Sequence, residues 1–216
     1  PNEYNADWPS YFAIPVIALV TITILNDGTI ISVAYDHVDA SVKPEKWDLN
    51  ILYIVSSAVG MVALIGSIVL LELSLDSQSA DSMWRSMGLP AMTYGEIQTL
   101  MYLKISLSDY FSVFNSRTKG WMWSRMPSIV LVGAFVLATT CSTFLAVYWP
   151  FGNGMQGIEW DLAVYCWLYV IMWAFIQDAA KVVTYKILQS FGWVESVKVI
   201  DEKALKRGRE AAVGAL

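Results

Sequence analysis

Charge is what this chain has least of. Asp, Glu, Lys and Arg make up 15% of its 216 residues, against about 25% in ordinary soluble domains, and that shortfall argues against a water-soluble globule. Cysteine is scarce as well: Cys141 and Cys166 are the two present. Each lies in an apolar run, which excludes a disulfide framework or a cysteine metal motif; both read as small buried hydrophobes. His37 is the single histidine, so a site needing several histidines is excluded, and its place in Tyr35-Asp36-His37-Val38, where an apolar stretch ends, reads as a loop. No GxxxxGK[ST] phosphate loop, metal-ligand cluster or nucleophile elbow occurs, so these residues are expected to contribute no nucleotide chemistry, no catalytic residue and no metal site. Strand alternation of a membrane barrel is missing, as are internal repeats and low-complexity tracts. The first ten residues lack the basic region of a signal peptide, and a start at Pro1 rather than Met predicts a piece of a longer chain. The net charge of −5 gives no reason to expect a nucleic-acid partner.

What is present is hydrophobicity. The chain is 56% hydrophobic, with a mean hydropathy of +0.49. Its ten tryptophans and eleven tyrosines are residues that gather at membrane–water interfaces. A helix needs about 20 apolar residues to cross the hydrocarbon core, and five stretches qualify: Tyr11–Tyr35, Ile51–Leu75, Tyr94–Phe114, Ser128–Trp149 and Leu162–Leu188. The third is the weakest, since it contains Glu96, Lys104 and Asp109. The predicted fold is an all-α integral membrane bundle of five transmembrane helices joined by short loops, which favour antiparallel neighbours.

Basic residues orient the bundle. Of the fourteen lysines and arginines, only Arg85 lies on one side and Lys104 lies within a span. The other twelve (Lys43, Lys46, Arg117, Lys119, Arg125 and seven from Lys181 to Arg209) share the opposite side. The positive-inside rule therefore predicts an outside amino terminus and a cytoplasmic carboxyl terminus. Trp47, Trp121 and Trp123 on the basic side, with Trp149 and Trp160 on the other, are placed as interface anchors. The tail Lys203-Ala204-Leu205-Lys206-Arg207-Gly208-Arg209 reads as a solvated helix near anionic headgroups of the lipid bilayer.

Within the first span, Thr23-Ile24-Leu25-Asn26-Asp27-Gly28-Thr29-Ile30 carries an acid at membrane depth. A charge there costs about 2.5–3.5 kcal/mol on insertion scales, and that cost almost vanishes on protonation, which is the property a proton carrier needs. Burial would raise the acid's affinity for its proton and a neighbouring cation would lower it. A structural reading, in which Asp27 ties helices together by hydrogen bonding, stays open beside the functional one. Gly28, Asn26 and the upstream Pro15 predict a kink or local distortion near Asp27. Lys104 and Asp109, five residues and about 140° apart on a helix, each need a partner on another span. Glu72 can reach the interface. Asp178 and Lys181, at i,i+3, read as a local ion pair that snorkels.

The run Ile24-Leu25-Asn26-Asp27-Gly28-Thr29-Ile30, with Ser32-Val33-Ala34-Tyr35-Asp36 and Lys43-Pro44-Glu45-Lys46-Trp47, resembles the sixth membrane helix and following loop of plasma-membrane proton-pumping P-type ATPases (type III) of the plant, algal and protist branch. Tyr102-Leu103-Lys104-Ile105-Ser106-Leu107-Ser108, Phe114-Asn115-Ser116-Arg117-Thr118 and Trp123-Ser124-Arg125-Met126-Pro127-Ser128 are similar to the eighth helix of that family and the approach to its ninth, and the resemblance reaches to about Leu188. It implies that the spans are helices six to ten of a ten-helix multi-pass plasma-membrane pump. Residues 1–35 would be the transport-helix segment, 36–189 a support domain of four helices, and 190–216 a basic cytoplasmic tail without the plant-type regulatory terminus. It places Asp27 on the proton-binding carboxylate and Asn26 beside it. The implied partner is an amino-terminal half carrying the phosphorylated aspartate of a DKTG motif, with ATP and Mg²⁺ in its cytoplasmic domains. Two rivals stay open, a P-type ATPase for another cation and a non-catalytic pump-derived scaffold subunit, and so does a homo-oligomer. The lack of clustered membrane carboxylates argues against calcium, which takes 6–8 oxygen ligands.

Overall fold

The computed structural model describes residues 3–36, 48–79 and 81–192, whose regular elements are all helices with no strand among them. The helices are α1 (Val16–Ser32), α2 (Leu49–Leu75), the short α3 (Met83–Ser86), α4 (Tyr94–Ser116), α5 (Ile129–Val147) and α6 (Trp160–Ser190), with single 3₁₀ turns at Val33–Tyr35 and Asp76–Gln78. His37, Lys43–Trp47 and the basic tail lie outside the described residues.

Local chemistry sets the helix starts. Thr93 and Glu96 form a capping box: the Thr93 hydroxyl accepts from the Glu96 N–H at 3.3 Å and Glu96 accepts from the Thr93 N–H at 2.7 Å. Ser128 caps α5 by accepting from the Leu131 N–H at 3.2 Å. Pro15 stands at the N-cap of α1, its carbonyl accepting from the Ala18 N–H at 3.0 Å. Pro15 therefore delays the helix to Val16 instead of kinking a helix begun at Tyr11, because a residue without an N–H is best tolerated where no intrahelical donor is required. The expected distortion at Asn26-Asp27-Gly28 is not seen either. The helix runs unbroken to Ser32, with the hydroxyls of Thr21, Thr23 and Thr29 bonded back to the carbonyls four residues earlier.

Among the described residues, four helical segments are long and apolar enough to cross a membrane: Val16–Tyr35, Leu49–Gln78, Ile129–Val147 and Trp160–Ser190. The stretch expected as the third span is the helix α4, but Glu96, Lys104 and Asp109 together with its serines and threonines keep it below that standard. Its place in the bundle explains how it is tolerated. α4 packs against α1, α2, α5 and α6 at once, and Gly95, Ile97–Lys104, Ser106–Ser108 and Tyr110 are all buried. The apolar helices face outward instead, α2 through Leu52, Leu64, Ile65 and Ile68 and α5 through Val132, Val136, Leu137 and Phe144. Polar side chains are expensive against lipid, so the most polar helix sits inside and the most apolar ones form its coat. α1 and α2 both lean on α4 without touching each other.

With little hydrophobic drive between helices in lipid, close packing and interhelical hydrogen bonds hold the bundle. At Gly66 of α2 an added Cβ would lie 2.8 Å from the Trp173 ring of α6, and Tyr169 donates to the Gly66 carbonyl at 2.7 Å. The Tyr110 and Ser142 hydroxyls join α4 to α5 at 2.8 Å, beside Phe135 packed edge-on against Phe111 and Phe114. Lys104 finds the interhelix partner its sequence position required: it donates to the Ala63 carbonyl at 3.2 Å and to the Ser67 hydroxyl, both on α2. Asp109, half-buried, makes no hydrogen bond or ion pair among the described residues. The cysteines part ways: both are free and Cys166 is buried, but Cys141 is exposed on the outer surface of α5 and so is not the buried residue expected.

Candidate functional site

α1 positions the two residues singled out as a proton site. Ala18, Ile22, Thr29 and Ser32 are buried, with Leu25 packed against the same core, and together they form the stripe by which α1 leans on α4 and α5. Nine residues from Ala18, at 100° per residue, Asp27 falls on the opposite face. It is exposed there, as are Val20, Thr23, Ile24, Gly28 and Ile31. Asn26 sits on the flank between the two faces, half-buried, and its Oδ1 is buried yet accepts no hydrogen bond. The structure therefore brings Asn26 and Asp27 to one edge of the bundle, and among the described residues neither has an ion pair with a cation. Among the described residues, a Cβ added at Gly28 would meet no atom within 4 Å, so the backbone beside Asp27 is open to close approach.

Two ion-paired clusters lie at the end of the bundle where α1 and α4 finish and α5 begins, and the sequence reading missed the first. Asp36, just past α1, accepts from Arg117 Nε at 2.7 Å, and both side chains are only 2% exposed. Its other oxygen accepts from the Ser128 N–H at 2.9 Å, and Arg125 approaches at 3.6 Å. The two arginines also clasp each other's backbone: Arg117 donates to the Arg125 carbonyl at 3.1 Å and Arg125 to the Arg117 carbonyl at 3.0 Å. A signal was available, because Asp36 is the acid nearest the end of the first span, on the side where the basic residues collect.

The second cluster corrects an expectation. Asp178 and Lys181 do pair at 2.7 Å, but their side chains are 0% and 3% exposed, so the lysine does not snorkel to solvent. It turns inward to donate to the Asn115 carbonyl at 2.8 Å, while Asp178 accepts from the Met122 N–H at 2.9 Å. The pair ties α6 to the end of α4 and to the following loop, where Trp121 and Trp123 stack at 5.0 Å, both well exposed. At the other end Glu72 is exposed and accepts from the Tyr4 hydroxyl.

The chain matches no family model, but its likeness to curated proteins extends over most of its length. It is 34% and 33% identical over 203 residues to the probable proton ATPases 1A and 1B of Leishmania donovani, covering 86% of this chain and 21% of each relative. It is 28% identical over 214 residues to a probable plasma membrane ATPase of Dictyostelium discoideum, covering 91% of this chain and 19% of the relative. The chain thus spans about one fifth of the length of the curated relatives it matches. Taken with the outward-facing apolar helices, these likenesses show the chain to be homologous over most of its length to P-type proton ATPases, matching a membrane portion of them.

Proposed function

We propose that this chain supplies the proton-binding carboxylate of an ATP-driven, proton-exporting pump, and that Asp27 is that carboxylate with Asn26 as its neighbour. The observation that carries the reading is an acid on the outward, otherwise uncharged face of α1, in a chain whose relatives are named proton ATPases. A carboxylate facing that way is costly while charged and nearly free of cost once protonated, so whatever packs on this face controls when the proton is held. The exposed backbone at Gly28 and the unanswered Oδ1 of Asn26 suit a face completed by other helices. Those helices belong, in this reading, to an amino-terminal half of the pump, whose cytoplasmic domains bind ATP and Mg²⁺ and form the aspartyl-phosphate. The present chain contributes no catalytic residue.

In this reading the four apolar helices and α4 make five crossings, helices six to ten, with the amino end outside and the carboxyl end in the cytoplasm of a plasma-membrane protein. Residues 1–35 then move with transport, 36–189 brace them, and 190–216 form a cytoplasmic tail. A pump for a different cation is the second reading, favoured by the 27% identity to a relative in Methanocaldococcus jannaschii named a putative cation-transporting ATPase. The decisive experiment is Asp27→Asn in the complete pump, reconstituted in vesicles. ATP-dependent acidification without added sodium, potassium or calcium is expected for the native protein and its loss for the variant; undiminished proton pumping by the variant would overturn the role given to Asp27.

A further inference from the structure

The segment between α4 and α5 closes into a loop that gathers basic and aromatic side chains. Arg117 and Arg125 donate to each other's carbonyls at 3.1 and 3.0 Å. Inside that closure the Trp121 carbonyl accepts from the Thr118 hydroxyl at 3.1 Å and from the Ser124 N–H at 2.9 Å. The Met122 N–H donates to Asp178 at 2.9 Å and so fastens the loop to α6. Trp121 and Trp123 stack at 5.0 Å, and Trp123 lies 6.1 Å from Phe175 of α6. Leu168, Met172 and Phe175, at i, i+4 and i+7, are exposed along one stripe of α6. The tryptophan pair, itself 40% and 57% exposed, stands where that apolar stripe meets the loop.

The charge of the loop is one-sided. Residues 110–158 contain no aspartate or glutamate, whereas Arg117, Lys119 and Arg125 all fall in the loop. Asp36 sets one negative charge against these three, and the Asp178–Lys181 pair beside them sums to zero, so the six residues together carry a net charge of +2. Arg117 is withdrawn from solvent, but Lys119 is exposed and the Arg125 side chain is 29% exposed. We propose that this loop binds an anionic phospholipid of the surrounding bilayer, with Lys119 and Arg125 holding the headgroup phosphate and the Trp121–Trp123 stack and Phe175 covering the start of an acyl chain. Apolar stripe, then tryptophans, then cations is the order in which a phospholipid presents its chain, its ester region and its phosphate. Tryptophan favours the headgroup level, and basic pockets between membrane helices recognise anionic headgroups. A zwitterionic lipid suits the apolar part but leaves the net charge of the loop unanswered. This inference goes beyond the pump reading and is independent of the role proposed for Asp27.

Met126, in the same segment and 82% exposed, is the place for a probe. The complete pump carrying a benzophenone side chain at that position is reconstituted in nanodiscs of phosphatidylcholine with a minor share of phosphatidylglycerol, illuminated, and its crosslinked products are weighed. Phosphatidylglycerol should be crosslinked well above its share of the bilayer. Lys119→Gln should lower that enrichment about fivefold, the effect of one basic residue at an anionic lipid surface. Trp123→Ala should lower crosslinking to both lipids, since it removes the cover of the chain and not the charge. Crosslinking of phosphatidylglycerol only in proportion to its share, or an enrichment that Lys119→Gln leaves intact, overturns the proposal. So does a crosslink to another segment of the pump, which would show that protein covers the loop. Added inorganic phosphate should not displace the lipid; loss of the enrichment on its addition would mark a site for the free anion and overturn the proposal as well.

Discussion

Arg117 and Asp36 meet through a 2.7 Å Nε–Oδ2 ion pair with both side chains withdrawn from solvent. Their contact closes the end of α1 against the end of α4. Since α1 also carries Asp27, this pair fastens the end of the helix bearing the proposed proton site to α4.

Breaking that attachment from one side should be costly, because the remaining charge is left buried without its counter-ion. Asp36→Ala should destabilise the bundle by about 3–5 kcal/mol. Replacing both residues with apolar ones of similar size, Asp36→Leu with Arg117→Met, should cost far less than Asp36→Ala. Thermal unfolding in detergent or nanodiscs reads both. Arg117→Lys should not restore the native melting temperature, since an ammonium cannot reproduce the geometry of a guanidinium that binds Asp36 and the Arg125 carbonyl together.

Asp27→Asn should leave the stability of the bundle unchanged within about 0.5 kcal/mol, as surface substitutions generally do, because Asp27 is exposed and outside the core. Transport by the complete pump should be lost. A large drop in stability would instead favour a structural tie between helices.

Two glycines should respond in opposite ways. Gly66→Ala drives a methyl group into the Trp173 ring and should cost about 1–3 kcal/mol as overpacking does. Gly28→Ala meets nothing within 4 Å and should stabilise α1 by up to about 1 kcal/mol through helix propensity. If Gly28→Ala in the complete pump nevertheless impairs transport, the face beside Asp27 is in tight contact with another element.

Alkaline pH should loosen the segment before α1. The hydrogen bond that Tyr4 donates to the Glu72 carboxylate, helped by burial and nearby negative charge, pushes the phenol from 10.0 up to about 12. A raised value for a group that is neutral when protonated means the contact is intact below pH 10 and fades as pH rises through about 12. Ultraviolet difference spectra between the native protein and Tyr4→Phe should show one tyrosine ionising late. Ionisation of Tyr4 near its ordinary value would show that the contact does not form.

Much of the architecture could be read from residue order. Apolar runs of membrane-spanning length locate α1, α2, α5 and α6, and the Asn26-Asp27 pair stands out because an acid in such a run is rare for energetic reasons. The Thr93-x-x-Glu96 box also marks the start of α4 locally. Beyond the local Asp178–Lys181 pair, sequence alone did not reveal which polar residue meets which. Asp36 and Arg117 stand 81 positions apart, so nothing in either segment names the other, and Lys181 looks from its helix like a snorkelling residue until α4 is laid against it.

By itself the sequence determined a bundle of apolar helices, their approximate limits and an acid set in the first of them, because lipid demands long stretches of helix with every backbone group satisfied internally. Tertiary structure decided that the polar helix α4 goes to the centre, that Asp27 turns away from it, that Asp36 finds Arg117, and that the Asp178–Lys181 pair is buried. Those outcomes depend on the energy of placing a charge against lipid or against another side chain, a quantity that exists only once the helices are packed together.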